Sequence, residues 1–132
     1  MFHYQSSSRG RDLCLQTSWY KGHNSGFANY EHFCIQANRV VEEAGCEEIT
    51  VYNESLEPVA YLALQLCASF HRPYYGLSVY VSAVRSDLEG DLKLSKYILQ
   101  VIREIAIKED CKWYERSKHV SQTIIQTIIK EI

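Results

Sequence analysis

The residues best placed to do chemistry sit around one turn. From 74 to 114 the chain reads YYGLSVYVSAVRSDLEGDLKLSKYILQVIREIAIKEDCKWY. A β-rich run ends near Val84, and residues 85–90 are turn-like, with Ser86, Asp87 and Gly90 as breakers. An amphipathic helix follows, and a second β-like run begins at Cys111. This is the pattern of a βαβ unit whose first turn lies at the carboxyl end of a strand, the place where such units bind ligands.

Other chemistries find less support. The sequence has no GxSxG, GxxxxGK[ST] or GxGxxG run, so neither a hydrolase nucleophile elbow nor a standard phosphate or dinucleotide loop is expected. His32 and Cys34 could suggest a thiol–imidazole pair, but residues two apart on a helix point in different directions. Asn24-Ser25-Gly26 reads as a plain turn. The five cysteines (Cys14, Cys34, Cys46, Cys67, Cys111) include no CxxC, and the five histidines form no HExxH, so no metal site is expected. Buried free thiols acting as small hydrophobes are the simpler reading. A disulfide would need an oxidising compartment, and the spacing selects no pairing.

These residues need a frame, and the bulk composition describes one. The chain has 132 residues, 46% hydrophobic and 23% charged, which suits one globular core. A net charge of −2 without a basic block leaves no nucleic-acid footprint. No apolar run approaches the roughly 18 residues of a membrane span. The amino terminus, MFHYQSSSRGRD, lacks the apolar core of a signal peptide, and a cytoplasmic location is the expectation.

Residues 1–27, with SSSRGR and KGHNSG, read as an irregular segment or arm with a short apolar patch at Leu13, Leu15 and Trp19. Residues 28–132 read as the domain. A helix is predicted over 28–44, where Phe33, Ala37, Val40, Val41 and Ala44 share one face and Gly45 is placed as its cap. Strands follow over 47–52 and 59–68, joined by NESLEP as an antiparallel hairpin. A third strand spans 75–84. The helix over 91–109 has Leu94, Tyr97, Ile98, Val101, Ile102 and Ile105 as its stripe, with Asp91 favouring its start. A strand is expected over 112–116. The tail, VSQTIIQTIIKEI, has four-residue spacing and is predicted helical despite its β-branched content.

This order of helix, hairpin, strand, turn, helix, strand and helix, over roughly 28–130, resembles the GNAT family of acyl-coenzyme A-dependent N-acyltransferases. The resemblance implies an α+β fold, a mostly antiparallel sheet flanked by helices. It also implies that the turn presents backbone N–H groups to the coenzyme pyrophosphate, with the helix amino terminus behind it. Carried onto this chain, the binding residues are Val81, Val84, Ser86, Gly90, Asp91 and Leu92. The family often places its proton-donating tyrosine on the helix after the fifth strand. No tyrosine follows Lys118, so Tyr114 on the predicted fifth strand is the catalytic candidate, its alternative reading an interior or interface aromatic.

The departures are physical. Glu89 stands where the family has arginine, and Leu92 and Leu94 stand at two of its three glycines. With Asp91, this puts two carboxylates where a pyrophosphate would sit, and side chains where backbone must approach. The sequence also ends without the last two strands of the family's sheet. The expectation is a GNAT-like protein with a degenerate acyl-coenzyme A site and no cofactor, a non-catalytic structural or interaction component with a protein partner or a second copy of itself. Small divergent members are common in phage genomes, which implies a virion or phage–host role. The alternative is an active acetyltransferase using acetyl-coenzyme A.

Overall fold

The computed structural model describes residues 1–22, 26–121 and 123–132. The predicted loop and turn over 21–26 therefore lie in part outside the described residues. The elements are β1 (His3–Ser6), α1 (Arg11–Tyr20), α2 (Tyr30–Ala44), β2 (Glu47–Tyr52), β3 (Pro58–Ser69), β4 (Arg72–Val84), α3 (Leu92–Lys108), β5 (Trp113–His119) and β6 (Ile125–Glu131). A short 3₁₀ turn at Ser86–Leu88 precedes α3. The strands form one open sheet in chain order, β1 to β6. All neighbours are antiparallel except β4 and β5, which are parallel because α3 carries the chain back between them. Among the described residues, no helix is long and apolar enough to cross a membrane.

Alternation along β3 divides the core. Leu62 and Leu64 pack with Val101, Ile102, Ile105 and Ala106 of α3 on one face. Tyr61 and Ala63 face Cys14 of α1 on the other. On β4, Leu77 and Val79 belong to the α3 face, yet Val81 and Ala83 belong to the α1 face. The register explains the switch: Leu64 pairs with Val79 and Ala63 with Val81, so Tyr80 is an extra residue opposite β3. Such a bulge flips every side chain beyond it.

Local side chains set the ends of α2 and α3. Asn29 caps α2 by accepting from the His32 N–H at 2.9 Å, and Gly45 ends it in the left-handed region at φ 65°. Asp91 caps α3 in the same way, accepting from the Leu94 N–H at 2.9 Å.

Two segments correct the sequence reading. The amino-terminal segment, expected to be irregular, holds β1, which pairs with β2, and α1, which buries Cys14 and Leu15. Buried Thr50 ties it down: its hydroxyl accepts from the Gly10 N–H and donates to the Ser7 carbonyl, both at 2.9 Å. The tail, expected to be helical, is strand β6, paired with β5 from Trp113↔Glu131 to His119↔Ile125. The β-branched residues that lower helix propensity suit the ladder that β5 offers.

Candidate functional site

The parallel pairing of β4 with β5 covers only Leu77–Val79 against Tyr114–Arg116. Beyond it, β4 stays with β3 up to Val84, while β5 stays with β6 up to His119. The sheet therefore opens between β4 and β5, starting at the extra residue Tyr80. A close approach sets the lower edge of the opening: a Cβ on Gly76 would overlap the indole of Trp113, so only glycine lets β5 lie this near. On the α1 side the opening widens into a cavity of about 530 Å³. Tyr61, Tyr80, Val81 and Ser82 form its floor, Leu15, Phe33 and Val40 its helical wall, and Ser117, Lys118 and Ile125 its far side.

Below the cavity runs a polar network. Arg11 of α1 donates to both oxygens of Glu48 on β2, Nε to Oε1 at 2.6 Å and Nη2 to Oε2 at 2.7 Å. The Tyr61 hydroxyl donates to the same Oε1 at 2.8 Å. Arg11 also reaches Asn38 and Glu42 on α2, at 3.1 and 3.2 Å, so one guanidinium joins α1, α2 and the sheet. The Arg11 hydrogen bonds hold the Glu48 carboxyl below its ordinary range, and burial pushes the Tyr61 phenol up. A carboxylate held ionised in this way is a weak base. Nearby, burial pushes the Cys14 thiol up to about 11, which leaves it an inert filler rather than a nucleophile.

The turn after β4 folds on itself. Leu88 N–H donates to the Arg85 carbonyl at 2.8 Å, Glu89 N–H to Ser86 at 3.4 Å, and Asp91 N–H to Leu88 at 3.1 Å. Gly90 takes φ 79°, which suits its lack of a Cβ. The α3 amino terminus, which would attract an anion, is occupied by the Asp91 carboxylate. Arg85 is drawn away to Asp87, at 2.7 and 3.1 Å, and its hydrogen bond holds the Asp87 carboxyl low. Glu89 forms an ion pair with Lys21, which follows α1.

The structure distributes the sequence candidates between two places. Val81 lines the cavity, while Val84 packs against the core around Val51 and Leu94. Ser86, Gly90 and Asp91 lie in the turn, and Leu92 is 74% exposed at the start of α3. Tyr114 is 5% exposed in the α3-side core, beside Leu77 and Cys111. His32 and Cys34 do not join: His32 Nδ1 accepts from the Ala28 N–H at 3.4 Å. Sequence reading missed Arg11 and Glu48. A helical signal was present for the first of these, since Cys14, Leu15 and Trp19 recur at helical spacing after Gly10.

No family model matches the chain, and no curated protein sequence matches it. Solved structures do. A Pyrococcus furiosus protein described as a candidate acetyl transferase superposes with a TM-score of 0.71 at 11% identity, covering 92% of this chain and 85% of its own. The chain has the GNAT fold. A GNAT-family acetyltransferase from Listeria monocytogenes covers 99% of this chain and 95% of its own, at 13% identity and a TM-score of 0.62. The aminoglycoside 6'-N-acetyltransferase of Acinetobacter baumannii covers 92% and 82%, at 10% identity and a TM-score of 0.59. The GNAT-like, mostly antiparallel α+β architecture expected from the sequence is therefore the architecture found.

Proposed function

We propose that this chain is a GNAT-fold protein whose coenzyme turn is closed, serving as a non-catalytic structural or interaction component. The observation that carries this is the turn. The N–H groups of Leu88, Glu89 and Asp91 are spent on its own carbonyls, and that of Leu94 on Asp91. A pyrophosphate would have to displace a carboxylate cap and approach Glu89 as well. Both steps oppose a charge that is negative at every oxygen.

The interaction role draws support from β6. It ends the sheet, its pairing with β5 has no register shift, and Ile125 and Ile129 are exposed at 58% and 37%. An edge without proline, bulge or central charge is one that proteins pair or cover. An antiparallel copy centred on Thr127 would set Ile125 against Ile129 twice on one face and keep the two Lys130 residues apart.

Calorimetric titration with acetyl-coenzyme A tests the reading. We expect no binding to the native chain, and a gain on the double substitution Glu89→Arg with Asp91→Gly, which restores a cation and frees the helix end. Micromolar binding by the native chain would overturn it. Thermal stability offers a second readout, since a ligand at about 100 times its Kd adds about 2.7 kcal/mol.

One observation favours a second reading, an active acetyltransferase: the β4–β5 opening and its cavity persist beside the closed turn. In that case acyl-coenzyme A would use the backbone from Val81 to Val84, with Tyr114 or water as proton donor. Thiol release from acetyl-coenzyme A in the presence of an amine panel would distinguish it.

A further inference from the structure

The end of the sheet is electrically two-sided. Tyr114 belongs to the α3-side core, so by alternation Arg116 and Lys118 share that face of β5. The register sets Lys130 of β6 opposite Tyr114, on the same face, with Ile128 opposite Arg116 and Gln126 opposite Lys118. Glu115 and Glu131 lie on the other face, where Cys67 donates to Glu115 at 4.0 Å and Arg72 pairs with Glu131 at 3.1 Å. Among the described residues of these two strands, the α3 face therefore carries three cations and no carboxylate. Lys118 and Lys130 are exposed. None of the three has an ion-pair partner among the described residues, and the Arg116 Nε is buried without a hydrogen bond. A buried donor left unmade is costly, and a carboxylate is the acceptor that meets it best.

The backbone of β6 is open on its outer side. The Ile132 N–H donates to the Lys112 carbonyl at 3.1 Å and the Val120 N–H to the Ile124 carbonyl at 2.8 Å, so the even-numbered residues of β6 bond inward to β5. Ile125, Thr127 and Ile129 turn their N–H and C=O groups outward, and their side chains lie on the face away from α3. A strand added here would lay one set of side chains beside Ile125 and Ile129 and the other beside Lys130. Arg116 and Lys118 stand two strand spacings from it, about 10 Å, within the joint reach of a long cation and a glutamate. A second copy of the chain suits the apolar face and fails the basic one. Pairing through β6 would gather both sets of cations on one face with no acid between them.

We propose, resting on the reading of β6 as an interaction edge, that its partner is a protein segment of alternating apolar and acidic residues, added to β6 as a further strand. The probe is a capped peptide of the length of β6 that alternates valine with glutamate, set beside its valine–lysine counterpart. Fluorescence anisotropy at neutral pH and low salt should show the glutamate peptide binding and the lysine peptide not. Lys130→Glu should weaken binding at least about tenfold, Lys130→Arg should retain it, and added salt should weaken it. Thr127→Pro, which removes an outward N–H and none that bonds β5, should abolish binding while β5 keeps its hydrogen-exchange protection. The proposal is overturned if the lysine peptide binds as well, if Lys130→Glu leaves the affinity unchanged, or if the glutamate peptide fails to bind at about 1 mM. It is also overturned if the chain dimerises and Thr127→Pro makes it monomeric, since a second copy then holds the edge. The coenzyme titration keeps the two readings apart. Peptide failure without coenzyme binding removes the acidic partner alone, whereas coenzyme binding removes the non-catalytic reading itself.

Discussion

Replacing Glu48 with Gln removes one charge from the network that joins α1, α2 and the sheet, and leaves its shape nearly intact. The hydrogen bond from Arg11 Nε, at 2.6 Å, loses its charge assistance, and the one from Nη2, at 2.7 Å, is lost because the Gln amide nitrogen cannot accept. Tyr61 keeps an acceptor in the Gln carbonyl. Hydrogen bonds to charged groups contribute about 1.5–3 kcal/mol each. The side chains of Arg11 and Glu48 are 18% and 16% exposed, so water screens part of this, and Arg11 keeps Glu42 and Asn38. The expected cost is about 2–3 kcal/mol. At about 4 °C per kcal/mol for a chain of this size, that is about 8–12 °C in Tm. Urea melts of both proteins across acid pH supply the assay. The folded Glu48 carboxyl is lowered from 4.5, so its contribution is fully present above that value and fades as pH falls through the lowered one. The two proteins should therefore converge in acid. A difference below about 0.5 kcal/mol at neutral pH, the level of an exposed pair, would refute the reasoning. So would a difference that does not change with pH.

Three further outcomes follow from single contacts. Gly76→Ala should destabilise by about 1–3 kcal/mol and shift tryptophan fluorescence, because the added methyl overlaps Trp113. Thr50→Val should cost about 1–3 kcal/mol by stranding the buried Gly10 N–H, and hydrogen exchange should quicken over residues 3–10 while β3 stays protected. Cys14, 5% exposed with its thiol pushed up to about 11 by burial, should resist iodoacetamide at mildly alkaline pH and react on unfolding, as peptide mass spectrometry would read.

What could be read from the chain was local. Gly45 and Asp91 mark helix ends by chemistry that acts within four residues. The stripe of α3 and the hairpin of β2 and β3 follow from periods of 3.6 and 2. The tail went astray because both periods fit it. Ile124, Ile125, Ile128 and Ile129 repeat at four, while Ile125, Thr127 and Ile129 alternate at two. Only the ladder that β5 offers chooses between them. The amino-terminal segment was misread because its helix is only ten residues long and is flanked by Ser- and Gly-rich runs, and its strand is four residues long.

By itself the sequence determined the elements from α2 to β5, their order and the acidic, glycine-poor character of the turn after β4. Those properties are written in side-chain types at short spacing, and no distant residue can change them. Tertiary structure decided where that turn's hydrogen bonds go, where β4 and β5 part, and which charges meet. Arg11 and Glu48 are 37 residues apart, and the parting of the strands depends on one extra residue, Tyr80, and one indole resting on Gly76. Contacts of this kind exist only once the helices have packed on both faces of the sheet. The closed turn was foreshadowed in the chain, whereas the cavity beside it was created by packing.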